Sequence, residues 1–186
     1  YPLRRQRQMC IRDRDEVMCG MGRTGYLYAC DAEQVSPDIL CIAKGLGAGY
    51  QPIGAMLCTS EIYECIETGS GLFQHGHTYL GHPVAAAAAQ AVIEKLLKND
   101  LVERAAEKGK KLSRALEDKF SQHPNVGDMR GRGLFQGLEF VEDREAKQPF
   151  DSSYKFAARL KANAFEAGLI LSLIHISEPT RLRPIS

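Results

Sequence analysis

SPDILCIAKGLGAG, residues 36–49, sets a turn, an apolar run and a glycine-rich loop around one lysine. Ser36-Pro37-Asp38 has the chemistry of a turn: Pro37 presets its own φ, and the Asp38 side chain bonds readily to nearby backbone. Ile39-Leu40-Cys41-Ile42-Ala43 is too short for a helix and is bounded by turn residues. Such a run suits a strand buried in a parallel sheet. Lys44 follows directly, and Gly45-Leu46-Gly47-Ala48-Gly49 reads as a flexible loop. An ammonium at the end of an apolar strand is costly to bury. Two readings stay open for it. Lys44 either snorkels to the surface or is held out of water so that its amine can form a Schiff base with an aldehyde.

Upstream, DEVMCGMGRTG (Asp15–Gly25) is punctuated by glycine and reads as a loop. Asp15 opens it, at the expected end of a neighbouring strand. In an α/β sheet, polar groups at the carboxyl ends of adjacent strands face the ligand crevice. A carboxylate there can pair with a protonated ring nitrogen. Arg12, Asp13 and Arg14 precede Asp15 and cannot be buried on both faces without partners. The apolar strand expected to carry Asp15 is therefore absent from the sequence.

Downstream, Ile53–Cys58 reads as the next strand and Ser60–Glu67 as a short helix capped by Ser60. His82-Pro83 opens a long helix, with proline at the first helical position. Five alanines, 85–89, give it high propensity and a thin face, and Val92, Ile93, Leu96 and Leu97 supply an apolar stripe. After Asn99-Asp100 a second helix runs to about Phe120, with Leu112, Leu116 and Phe120 on one face. His123-Pro124-Asn125 breaks it. Two short strands follow, near Val126–Arg130 and Leu134–Val141. Asp151 caps a further helix ended by Gly168, and Leu169-Ile170-Leu171 begins another strand. The order predicts an α/β part followed by an α+β part, with a boundary near residue 120.

The 186 residues carry a formal charge of +1, which excludes binding to nucleic acid through overall charge. With 44% hydrophobic and 25% charged residues, the composition is that of a globular chain, and no apolar run is long enough to span a membrane. Six irregularly spaced cysteines (10, 19, 30, 41, 58 and 65), with no C-x-x-C pair, predict reduced thiols in a cytoplasmic setting. The charge is uneven: residues 1–14 carry +4 and residues 173–186 carry +1, which leaves −4 on residues 15–172. Both end segments resemble translated sequencing-adapter read-through, and both are expected to be foreign to the fold. Their alternative is a basic arm that binds nucleic acid.

Other candidates are structural on their residue types. Glu16 is expected to support its loop by hydrogen bonds, Arg23 to brace the GRTG turn, and Arg130 and Arg132 to brace the second part. His75, His77 and His82 cluster, but no carboxylate or cysteine stands at metal-ligand spacing, and no metal is expected.

Three motifs stand in order: D-E-V-x-x-G-x-G-R-T-G-Y (Asp15–Tyr26), S-P-D-I-L-C-I-A-K-G-L-G-A-G (Ser36–Gly49) and H-G-H-T-Y-L-G-H-P (His75–Pro83). Together they resemble the class III aminotransferases, pyridoxal 5'-phosphate (PLP) enzymes of fold type I. The resemblance runs from Asp15 to about Ser172 and is nearest to the ω-amino-acid:pyruvate or diaminopelargonic-acid synthase type. It implies an α/β fold class: a partial PLP-binding large domain with connecting helices (15–120), mainly a parallel sheet with helices, and the start of an α+β small C-terminal domain (121–172). It further implies that Lys44 forms the Schiff base and shuttles a proton, that Asp15 holds the ring nitrogen, and that Val17 packs on the ring. Thr78 would bind the cofactor phosphate of the partner in a homodimer. The implied reaction moves an amino group from an amine or ω-amino acid to a keto acid. Its alternatives are an aminomutase or racemase of the same fold, or a non-enzymatic module binding through the basic arm. Class III enzymes are more than twice this length, so the resemblance implies an internal fragment. Such a fragment is expected to expose strand edges and apolar faces, to bind cofactor weakly at best and to be inactive alone.

Overall fold

The computed structural model describes residues 11–171. The expected foreign segments therefore lie outside the described residues, apart from 11–14 of the first. The chain divides into two compact units. One holds the residues up to Ala115 together with Gly131–Gln136, and the other holds Leu116–Arg130 and the residues from Gly137 onward.

The first unit is built on a three-stranded sheet in the order β1 (Asp13–Asp15), β2 (Ile39–Ile42), β3 (Ala55–Cys58). β1 runs parallel to β2, with Asp15 opposite Cys41, and β3 runs antiparallel to β2, with Ala55 opposite Ile42. The described sheet is thus mixed. β3 begins two residues later than the sequence suggests, because Ile53 turns into the core instead. β1 exists despite its charges. Its three residues pair through backbone alone and all stay exposed, so Asp13 and Arg14 need no buried partner. In β2, Leu40 and Ile42 are buried while Ile39 and Cys41 are half-buried. One face of this strand is a core face, and the other is only partly covered, unlike the two-sided burial expected.

Met21, Cys30, Leu40, Ile42, Leu46 and Ala89 make the core, with Tyr28, Val35, Ile53, Ile93 and Leu96 packed on it. Helix α1 (Ser60–Thr68) starts one residue earlier than read: Thr59 is the N-cap and Ser60 is the first helical residue. Helix α2 (Pro83–Lys98) begins as expected at the His82-Pro83 pair, and His82 Nδ1 accepts a hydrogen bond from the Ala85 N–H at 3.3 Å. Its inward stripe is Ala85, Ala89, Ile93 and Leu96, whereas Leu97 is exposed. The small residues let α2 pack against the 3₁₀ turn Lys44–Leu46. The stretch 71–84 is exposed throughout. Tyr79 and Leu80 there, and Met56 and Leu57 in β3, leave apolar surface in water.

Helix α3 (Leu101–Phe120) presents Leu101, Val102, Ala105, Ala106 and Gly109 on its inner side, four residues apart in two rows. Of Leu112, Leu116 and Phe120, expected on one face, Leu112 is exposed while Leu116 and Phe120 are half-buried. Glycine is required at two contacts of this helix. A Cβ on Gly25 would stand 2.7 Å from Ala106 Cβ, and a Cβ on Gly109 would stand 2.3 Å from the Gly133 carbonyl carbon.

The second unit contains most of the hairpin β4 (Val126–Arg132) and β5 (Phe135–Phe140), and helix α4 (Phe156–Glu166). Val126 and Val141 are buried, and the Asn125 side-chain amide donates to the carbonyls of Val141 and Glu142 at 3.1 Å each. Phe150 stacks on Phe156 with ring centroids 4.4 Å apart, and Phe140 adds to this cluster. Asp151 caps a separate 3₁₀ turn, Ser152–Tyr154, by accepting from the Ser153 N–H at 2.8 Å. Lys155, at φ +49°, then breaks the chain before α4, so Asp151 does not cap that helix. Leu169–Leu171 form no strand among the described residues. No helix among the described residues is long and apolar enough to cross a membrane.

A glycine-to-alanine change inside a helix normally gains about 1 kcal/mol. Gly109→Ala is expected to do the reverse and cost about 1–3 kcal/mol, because the new methyl overlaps backbone that cannot swing aside. Thermal unfolding checks this, with exposed Lys108→Ala as the neutral neighbour. A Gly109→Ala midpoint at or above that of the unaltered chain contradicts the contact.

Candidate active site

Because β1 and β2 are parallel, their carboxyl ends open on the same edge of the sheet. Asp15 is the last residue of β1, and Lys44 follows Ile42 and Ala43 at the end of β2. The Glu16 N–H donates to the Cys41 carbonyl at 2.8 Å and carries the pairing one step past Asp15. Asp15, Val17 and Lys44 are thereby brought to one edge.

Asp15 is exposed, and its Oδ1 accepts from the Val17 N–H at 2.9 Å. Oδ2 has no partner among the described residues. Val17 is half-buried beside it. Lys44 is exposed and makes no ion pair among the described residues. Its φ is +44°, in the left-handed region that disfavours a residue with a Cβ by roughly 1–2 kcal/mol, as at six other non-glycine residues among those described. The preceding Ala43 is extended, the Leu46 N–H returns to the Ala43 carbonyl at 3.0 Å, and the Gly47 N–H returns to the Lys44 carbonyl at 3.2 Å. The turn packs closely on the loop from β1, since a Cβ on Gly45 would meet Met21 Cβ at 2.8 Å.

Glu16 is the residue whose weight the sequence understates. It was expected to support its loop, and it does so from a position only 2% exposed. Oε1 accepts from the Cys30 N–H at 2.9 Å, while Oε2 accepts from the Ala29 N–H at 2.8 Å and the Cys19 thiol at 3.1 Å. Burial works to raise the Glu16 pKa. The bonds from Ala29, Cys19 and Cys30 outweigh it and hold the carboxyl below its ordinary value. The Cys19 thiol is pushed up to about 11, first by burial and then by its bond to the Glu16 carboxylate and that group's charge. Cys19 is therefore a neutral donor at physiological pH.

The remaining candidates separate. Thr78 lies in a turn of the exposed stretch, and no hydrogen bond among the described residues links that stretch to β1 or β2. Arg130 is taken up by Asp128 and by Glu139 at 3.0 Å. Arg132 pairs with Glu33 at 2.6 Å and so braces the first unit rather than the second. The Arg23 side chain is exposed, and its carbonyl accepts from the Leu134 N–H at 3.0 Å. His82 caps α2, and no group of His, Cys, Asp and Glu among the described residues could hold a metal ion. A cleft of about 410 Å³ is bordered by Lys44, Gly45 and Gly20–Arg23. A larger one, about 490 Å³, borders none of the predicted site residues.

A carboxylate with a free oxygen and an amine without a counter-ion thus share one strand edge. That donor set fits an aldehyde-bearing ring with a protonated nitrogen, the chemistry of PLP. Residues 5–185 match the family described as Aminotransferase class-III, a match that reaches into both end segments. The chain belongs to the class III aminotransferases. It is 46% identical over 150 residues to an aminotransferase of Gibberella zeae, covering 81% of this chain and 29% of that protein. Among solved structures, it resembles a thermostable (S)-enantioselective ω-transaminase from Thermomicrobium roseum with a TM-score of 0.85 and 36% identity, covering 91% of this chain and 38% of that one. An amine transaminase from an uncultivated Pseudomonas species, solved in its PLP-bound form, matches with a TM-score of 0.84 and 38% identity over 90% of this chain and 38% of that one. The chain spans about a third of the length of the curated relatives it matches. Its fold is part of a fold type I transferase.

Because the folded Glu16 carboxyl lies below its ordinary value near 4.5, protons bind the unfolded chain more readily. Its contribution is complete above pH 4.5 and is lost as pH falls through the lowered value. Glu16→Gln is expected to be less stable than the unaltered chain by about 1–3 kcal/mol at neutral pH. That gap should narrow on acidification below pH 4.5, read from melting temperatures. A gap that stays constant with pH contradicts the assignment.

Proposed function

We propose that this chain supplies the lysine and the ring-nitrogen carboxylate of a PLP-dependent aminotransferase, which moves an amino group from an amine or ω-amino acid to a keto acid. The observation that carries the reading is Lys44, in a strained left-handed conformation at the end of β2, with the Asp15 carboxylate at the same edge. PLP, when bound, supplies an aldehyde that can be exchanged for the substrate's amine and a ring that accepts the electron pair released when a substrate carbon loses its proton.

Lys44 Nζ is the point of attachment for that aldehyde. When free, its amine would be the base that takes up the proton of the substrate carbon and the acid that gives it back. Asp15 Oδ2, the oxygen not used by Val17, keeps a proton on the ring nitrogen. Val17 covers one face of the ring. The Thr78 hydroxyl donates to the cofactor phosphate of the partner subunit in a homodimer, and the exposed position of Thr78 supports that reading. The chain acts in the cytoplasm, with its thiols reduced. Residues 15–120 belong to the large domain and 121–172 to the small one. Relatives named for transamination, including a diaminobutyrate–2-oxoglutarate transaminase of Halomonas elongata at 38% identity, favour amino transfer over mutase or racemase chemistry.

Incubation with excess PLP followed by borohydride reduction, read by peptide mass spectrometry, tests the attachment point. Lys44 is expected to be labelled ahead of every other lysine, and Lys44→Ala is expected to show no preferred site. Labelling spread evenly over the surface lysines contradicts the assignment.

A further inference from the structure

We infer that Glu16 is a positioning residue: its three-donor clamp fixes the direction in which Asp15 meets the ring nitrogen of the cofactor. This rests on the PLP reading above and assigns the group that makes Asp15 effective. Neighbouring residues of extended chain point to opposite sides. Asp15 is exposed and Glu16 is buried, so anchoring Glu16 inward turns Asp15 outward. The anchor is two-sided. The Glu16 backbone N–H is held by the Cys41 carbonyl, and its carboxylate is held by the N–H groups of Ala29 and Cys30 and by the Cys19 thiol. Cys19 Sγ also stands 3.6 Å from the Asp15 carbonyl oxygen, so the clamp touches Asp15 directly. The Asp15 carboxylate has only one hydrogen bond, from the Val17 N–H in the same loop. Without the clamp, no bond among the described residues joins that loop to the segment Ala29–Cys30.

The isosteric change Glu16→Gln tests this. An amide keeps the volume but replaces one acceptor oxygen with an NH₂ that faces an N–H donor. Labelling of Lys44 by PLP and borohydride, measured across pH, is compared in the unaltered chain, Asp15→Asn, Glu16→Gln and the double variant, with circular dichroism reporting folding. Loss of a group that orients a first ligand typically costs about tenfold. Asp15→Asn and Glu16→Gln are each expected to lower Lys44 labelling about tenfold and to change its pH profile alike. The double variant is expected to lose nothing further, because one residue acts through the other.

A purely structural role makes the two losses multiply and leaves the pH profile unmoved, and that result overturns the inference. So does a folded Glu16→Gln that labels as the unaltered chain does. If Glu16→Gln does not fold, Cys19→Ala decides. It removes one donor and leaves both N–H groups, and it is expected to lower labelling about threefold, but not when Asp15 is already Asn. Equal labelling of Cys19→Ala and the unaltered chain overturns the inference. Labelling of the unaltered chain that spreads evenly over its lysines, rather than being merely weak, overturns the proposed function itself.

Discussion

The hydrogen bonds on the Glu16 carboxylate are the constraint around which the first unit is arranged. A carboxylate 2% exposed must be paired or it does not stay ionised. Here its oxygens take the amides of Ala29 and Cys30 and the thiol of Cys19. Those bonds tie the start of the glycine loop to the segment Ala29–Cys30 beyond it, thirteen and fourteen residues on. They leave Met21 and Cys30 in the core and Gly20 and Gly22 buried around them. The cost of removing a charge from water is offset only because all three donors converge, so the loop has little freedom to rearrange.

The edge that carries Asp15 and Lys44 follows from that anchoring. β1 is short, charged and exposed, and would have little reason to persist on its own side chains. Backbone pairing with β2 and the Glu16 bond to Cys41 hold it. Lys44 is constrained from the other direction. The Lys44–Leu46 turn lies between α2 and Met21, whose Cβ is close enough to require glycine at position 45. A left-handed lysine is tolerated because Leu46 is buried and the turn's amides return to Ala43 and Lys44. Packing and strain together present an amine and a carboxylate at one edge of the sheet.

Much of this was legible in the residues themselves. The run Ile39–Ala43 before Lys44 marks the central strand. Pro83 marks the start of α2 and Asn99-Asp100 its separation from α3, because these are local signals carried by a few adjacent residues. What was not legible depends on contacts between distant segments. Glu16 is recognisable as a loop support but not as a buried three-donor anchor, since two of its donors are backbone groups with no residue signature. The close approach of Gly109 and Gly133 and the pairing of Arg132 with Glu33 are likewise invisible to periodicity. The antiparallel sense of β3 is not legible, because strand composition does not encode direction. Asp151 was read as the cap of a helix because the cap signal is genuine. The turn it caps simply stops at Tyr154, where Lys155 turns left-handed.

Amide hydrogen exchange at Ala29 and Cys30 tests the central claim most directly. Both N–H groups sit outside the sheet, and each donates only to the Glu16 carboxylate. They are expected to exchange as slowly as the β2 amides of Leu40 and Ile42, and both should speed up together in Glu16→Gln. Exchange at the rates of an open loop in the unaltered chain would show that the clamp does not hold, and the account of how Asp15 is presented would fall with it.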